Sequence, residues 1–236
     1  MHPDELTRLD VLCRAELDIE GRMPWSSNAT FLVNLVVDDV TLGQGIYKPL
    51  RGERPLWDFE PGLHRRETAA YRLSAAMGLD VVPPTVLRDG PLGEGSVQWF
   101  VDADHQQHYF TIFEARADLH DELRKVAVFD VVANNPDRKS GHVLIDSTDR
   151  IWGIDNGLCF AAEFKLRTVV WEFGGEPVGD DLRAAVAAVA AAVPADVADL
   201  LADDEVAAIA ERAQWLLDDG ALPVDHTGRR YPWPLV

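Results

Sequence analysis

The chain has 236 residues, 47% of them hydrophobic, enough to bury a sizeable core as one large domain or as two lobes around a cleft. Its formal charge of −18 opposes unaided binding to nucleic acid or to an anionic membrane, which need a positive surface. No apolar run approaches the ~20 residues that span a bilayer. The N-terminus MHPDELTRLD lacks a signal-peptide core, and Cys13 and Cys159 read as reduced thiols. The expectation is a cytoplasmic protein without stable membrane insertion.

Residues 9–20 alternate apolar and polar and read as a strand. A turn-rich stretch and a small polar loop, 24–30, lead to a second strand at 31–39. Small residues let backbone N–H groups approach an anion, so Ser27, Asn28, Ala29 and Thr30 form a candidate phosphate loop. It is not glycine-rich, and it reads equally well as a plain hairpin turn. A third strand at 45–50 carries Lys48, and the Pro- and Gly-rich loop 51–62 is long enough to cover a cleft.

The pattern at 63–77 predicts a helix, with an apolar stripe of Ala69, Ala70, Leu73, Ala76 and Met77 and a stop at Gly78. Glu67 on it is the natural partner of Lys48. In kinase folds a third-strand Lys grips the nucleotide phosphates and pairs with a helix Glu. Residues 81–87 are extended, stiffened by two prolines. Residues 96–102 and 108–114 read as a hairpin turning through 102–107. The backbone of Phe113, Glu114 and Ala115 then lies where a kinase hinge would hold adenine.

Residues 126–160 carry the chemistry. A helix predicted over 119–134 breaks at Asn134-Asn135-Pro136, because proline disfavours helical backbone in the residue before it. A polar loop, 137–142, leads into a hairpin of 143–146 and 151–154 that ends on Asp155-Asn156-Gly157. Asp137 can orient an attacking hydroxyl, and His142 and Asp155 can hold a divalent metal. In protein kinases a catalytic Asp is followed five residues later by a metal-binding Asn, and a further metal-binding Asp comes after a hairpin. With His142 at the second metal position, imidazole favours softer ions such as Mn²⁺ over Mg²⁺. Arg138 and Lys139 are placed near the transferred phosphate. Asp130, in the helix, is either a second acid or a helix carboxylate bonding the loop backbone.

Asn135-Pro136-Asp137-Arg138, followed by Ile154-Asp155-Asn156-Gly157-Leu158, resembles the catalytic and metal-binding loops of the phosphatidylinositol 3-/4-kinase-like group. Type II phosphatidylinositol 4-kinases are the nearest in pattern and HipA-type bacterial kinases more distant, and the whole chain is similar to a small actinobacterial branch of kinase-like proteins. The resemblance implies Asp137 as catalytic, Asp155 as metal ligand, and the Glu67 helix as carrier of the ion-pairing Glu. His142 departs from the Asn usual there.

Beyond 157–179, which matches an activation or substrate loop in position, helices are predicted at 180–193, with Asp180 as N-cap, and at 203–217. An extended, aromatic-rich tail follows. The fold expected is α+β, protein-kinase-like and two-lobed: a β-rich nucleotide-binding lobe over 1–114 and a helical lobe over 115–236. The expected activity is transfer of the ATP γ-phosphate, with Mg²⁺ or Mn²⁺, to a hydroxyl of a protein or small molecule. A nucleotide-binding pseudokinase and an AMP transferase remain open, as does the acceptor.

Overall fold

The computed structural model describes residues 3–24, 26, 28–56, 59, 61–104 and 106–235. Its first half is a five-stranded antiparallel sheet with two helices. Helix α1 (Pro3–Arg14) leads into β1 (Glu16–Arg22), β2 (Phe31–Val37) and β3 (Val40–Pro49). Then come α2 (Leu63–Ala76), β4 (Thr85–Gly90) and β5 (Gly93–Trp99), and the strand order is β1-β2-β3-β5-β4. Helix α1 lays Val11 and Leu12, and the residue after it, Ala15, on a sheet core of Leu17, Val33, Leu35, Tyr47 and Val97. The β2–β3 connection is two residues long, and Asp38 and Asp39 both take positive φ, as a tight hairpin matched to the sheet twist demands.

Two expected strands are corrected. Residues 9–14 belong to α1. Val11 and Leu12, adjacent in sequence, enter the same core, which a helix permits and the alternating faces of a strand do not. Residues 108–114 are not a strand but lie mostly in α3 (Tyr109–Ala115). Tyr109 and Ile112 sit three apart on its buried face, and the Thr111 hydroxyl accepts the His108 N–H at its start. Strand β5 pairs instead with β4 across Pro91 and Leu92.

The second half is helical. Helix α4 (His120–Ala133) ends at Asn134, whose left-handed φ of 52° terminates it before Pro136. The short hairpin β6 (Val143–Ile145) and β7 (Ile151–Gly153) follows, then α5 (Asp180–Ala191), α6 (Ala195–Ala198) and α7 (Asp203–Asp219). The cap of α5 is Gly179, and Asp180 is its first helical residue. Helix α2 packs its Ala69, Ala70, Leu73 face into the same core as Val128, Phe129 and Val132 of α4, Cys159, Phe160 and Ile209. Helix α3 joins this half too: Tyr109 bonds Glu172 at 2.5 Å, and His108 bonds the Ser140 hydroxyl at 2.7 Å. The architecture is α+β and two-lobed, with α2 bridging the sheet and the helical body. Among the described residues, no helix is long and apolar enough to cross a membrane.

Candidate active site

Strand β3, helix α2, the loop after α4 and the end of β7 converge on one group of charges. Lys48 Nζ bonds the Glu67 carboxylate and lies 2.8 Å from Asp155 Oδ1. Glu67 is 3% exposed, and its other oxygen accepts the Asn156 N–H at 3.1 Å. One carboxylate thus ties α2 to β3 and to the loop that presents Asp155. Gly157 allows this approach, since a Cβ there would come within 3.3–3.4 Å of the Glu67 carboxylate and Leu63.

Asp155 adopts a left-handed φ of 58°, which aims its carboxylate off the end of β7, and its side chain is 53% exposed. The Lys48 charge holds its carboxyl well below the usual carboxylate range, against the opposing effect of burial. Burial alone would lower Lys48, but Asp155 and Glu67 together hold it above its ordinary value. His142 Nε2 stands 3.6 Å from Asp155 Oδ2, and its Nδ1 lies 3.0 Å from the Asp137 carbonyl, to which it donates. The lone pair therefore falls on Nε2. Burial pushes the imidazole down, outweighing Asp155, so it is neutral near pH 7. Asp137 Oδ2 receives Lys139 Nζ at 2.9 Å, and the Asp137 N–H is held by Asn135 Oδ1 at 3.0 Å.

Arg138 is not at the phosphate position. It is fully buried. Its guanidinium bonds Asp130 at 3.0–3.2 Å, Asn156 Oδ1 at 2.7 Å and the Ile154 carbonyl at 2.7 Å. Asp130, also fully buried, bonds side chains rather than loop backbone: Arg138, Asn135 at 3.1 Å and the Thr168 hydroxyl at 3.0 Å. This pair is the joint between the Asp137 loop and the Asp155 loop. Asn134 secures the far side, donating to the Ala161 and Glu163 carbonyls and accepting from Lys165 N–H. Sequence reasoning missed Asn134, Asn156 and Thr168. The one available signal was Asp130, a lone charge in an otherwise apolar helical run.

Of the candidate nucleotide loop, Ser27 lies outside the described residues, as do Trp25 and Trp57. The described part closes β1 onto β2, with Met23 N–H donating to the Thr30 carbonyl at 2.8 Å. Thr30 is buried and bonds Ser26. Ala29 N–H donates to Gly52 and Asn28 Oδ1 accepts from Arg54 N–H, so the loop is stapled to the turn after Lys48. Only glycine fits at 52, where a Cβ would lie 2.6 Å from that of Ala29. Phe113, Glu114 and Ala115 are helical and not in an extended connector. They lie within α3, where the Phe113 ring stacks on His120 at 4.5 Å and backbone N–H groups serve the helix. The connector leaving β5 begins at Phe100, whose N–H is already bonded to the Gln44 carbonyl.

The Asp155 oxygen and the His142 nitrogen are donors of the kind that divalent cations accept. Among the described residues, no group of three or more His, Cys, Asp or Glu could enclose a metal. The half-exposed Asp155 carboxylate and the Nε2 of His142 are two possible ligands, so an ion held there would need further oxygens from elsewhere.

The chain has a protein-kinase-like fold, and solved structures share it. It covers 98% of this chain and 80% of the Golgi casein kinase crystallised with Mn and ADP, at a TM-score of 0.59 and 13% identity. Hydra Fam20 with sugar aligns at 0.61 and 12% identity over 93% of this chain and 88% of that one. The Helicobacter pylori proinflammatory kinase CtkA aligns at 0.50 and 11% identity over 89% and 94%. No family model matches the sequence. Within that fold the chain belongs to the family of Protein Rv2133c of Mycobacterium tuberculosis, to which it is 39% identical over 261 residues, spanning 95% of this chain and 94% of that protein.

Proposed function

We propose that the protein is an ATP-dependent phosphotransferase that moves the γ-phosphate to a hydroxyl of a protein or small molecule. The observation that carries this reading is the convergence of Lys48, Glu67, Asp155 and His142, with the Asp137 backbone bonded to His142, from four separate elements. Isolated surface charges do not assemble in that way, and the grouping matches the parts that phosphoryl transfer uses. The resemblance of the Asp137 and Asp155 loops to phosphatidylinositol 3-/4-kinase-like enzymes supports the same roles.

In this reading Lys48 holds the nucleotide phosphates, and Glu67 fixes Lys48 while anchoring the Asp155 loop through Asn156. Asp137 orients the acceptor hydroxyl and takes up its proton, and Lys139 keeps a positive charge beside it. Asp155 and His142 Nε2 would hold a Mg²⁺ or Mn²⁺ ion, which would supply positive charge to offset that of the phosphate oxygens. Asn28, Ala29 and Thr30 lie in the loop that would cover the phosphates. The adenine site moves from 113–115 to the connector 100–103, the chain segment that follows the sheet. The nucleotide lobe then ends near residue 104 rather than 114, since α3 packs with the helical body.

Incubation with γ-labelled and α-labelled ATP, with Mg²⁺ or Mn²⁺, tests this beside Asp137→Ala and Asp155→Ala. Label from the γ position, lost in both variants, is expected. Label from the α position alone would mean AMP transfer. The departure at His142 favours a second reading, a pseudokinase: ATP raises the melting temperature, Asp155→Ala abolishes that rise, and no ADP forms. No thermal response to ATP would refute both.

A further inference from the structure

Beyond Leu222 the chain leaves the core and returns to the catalytic loop. The Arg230 carbonyl accepts the Thr168 N–H at 3.1 Å and the Trp171 indole N–H at 3.1 Å. The Leu235 carbonyl accepts the Ser140 N–H at 2.8 Å. These donors flank the proposed reaction centre. Ser140 shares the loop of Asp137, and Thr168 lies in a parallel bridge with Arg138, whose carbonyl accepts the Val169 N–H.

Ser140 and Thr168 are buried, yet the segment covering them is not. From 224 to 235 only Pro232 is buried, and Trp233 is 87% exposed. Leu222 differs: it is a core residue that exchanges backbone bonds with Gly175 and Glu176. A segment gripped by its carbonyls, with most of its side chains exposed, is held largely by main-chain pairing, as an added strand is. It also belongs among the parts of a fold that open locally, since little apolar surface resists its departure.

We propose that the Ser140 and Thr168 N–H groups and the Trp171 indole form a docking edge for an extended, basic polypeptide, which the chain's own residues 229–235 cover in cis. The inference rests on the phosphotransferase reading and names its acceptor as a polypeptide. The basic character follows from the occupant now seated there. Arg229 and Arg230 make residues 229–235, which carry no acidic side chain, basic in a chain of net charge −18, and the Arg230 guanidinium lies 5.1 Å over the Phe164 ring. An acidic body attracts a basic segment.

The test uses the full chain and a full-length variant with Arg230→Gly, Tyr231→Gly and Pro232→Gly, which loosens the cover and leaves the donors intact. The probe is a synthetic peptide of residues 226–235, read by fluorescence anisotropy and by hydrogen exchange at Ser140 and Thr168. The variant is expected to bind it at least about tenfold more tightly than the wild type. Its Ser140 and Thr168 amides lose protection and regain it with peptide, and a peptide with both arginines replaced by Glu does not bind. Absence of binding to the variant, or equal binding of both peptides, would overturn the proposal. Should the variant not fold, exchange in the wild type decides: Ser140 and Thr168 exchange faster than Val169 if the tail opens locally, and equal rates make it a fixed part of the core. Peptide binding by a protein that releases no ADP and transfers no γ-label to any acceptor leaves the docking edge standing and removes the phosphotransferase reading, whereas transfer to peptides that never protect these amides removes the edge.

Discussion

Arg138→Ala removes the cation from a pair in which both side chains are fully buried. Asp130 would lose three contacts of 3.0–3.2 Å and keep only the Asn135 amide and the Thr168 hydroxyl. Breaking a buried pair by deleting one partner costs about 3–5 kcal/mol, because the remaining charge stays desolvated. That is a large share of a total stability of about 5–15 kcal/mol. At about 2–4 °C per kcal/mol for a chain of this size, melting should fall by roughly 6–20 °C. Urea unfolding of the wild type, Arg138→Ala and the double variant Asp130→Leu/Arg138→Met measures it. The double variant should recover most of the loss, since it buries no charge. An Arg138→Ala protein within about 1 kcal/mol of wild type would refute the claim that this pair braces the two loops.

His142→Asn exchanges a nitrogen ligand for an oxygen ligand. The rise in melting temperature with ATP should shift in favour of Mg²⁺ over Mn²⁺, and an unchanged ratio would remove His142 from the metal site. Glu67→Gln keeps an oxygen for the Asn156 N–H but removes the charge paired with Lys48. Nucleotide affinity should fall about tenfold, ~1.4 kcal/mol, by calorimetric titration. His64 anchors the start of α2 through Glu53 at 2.7 Å and Glu94 at 3.0 Å. Its burial is outweighed by these carboxylates, so its folded pKa is raised, while Glu53, bonded by His64 and by the N–H groups of Gly62 and His64, is lowered to about 2. The His64 contribution, about 2 kcal/mol, is therefore whole below its unfolded value of ~6.5 and lost as pH rises through the folded one. The melting difference between wild type and His64→Gln should shrink above about pH 7, and a difference that grows with pH would reverse the assignment.

The sequence made the fold legible where local chemistry and tertiary context agree. The helix over 63–77, the break at Asn134-Asn135-Pro136 and the hairpin ending at Asp155 all appear at those places. It misled where an aromatic and β-branched segment, 108–114, met a helical burial pattern, because strand preference is a preference for a half-buried surface rather than a backbone rule. The candidate site shows the deeper difficulty. Arg138 looked like a phosphate ligand because it adjoins Asp137, but adjacency in sequence does not say which way a side chain points. Asp130 held the better information. Ten of the fourteen residues of α4 precede it, and its neighbours in 126–133 are Val, Ala and Phe, so helical geometry buries it. A buried carboxylate demands a cation. The cations within loop reach are Arg138 and Lys139, and the one Asp130 takes is thereby withdrawn from the reaction. The rigid planar fork of Arg fits that internal joint, reaching Asp130, Asn156 and Ile154 at once, while the single flexible ammonium of Lys139 stays beside Asp137. The division of labour between two adjacent cations therefore follows from one acidic residue placed where water cannot reach it.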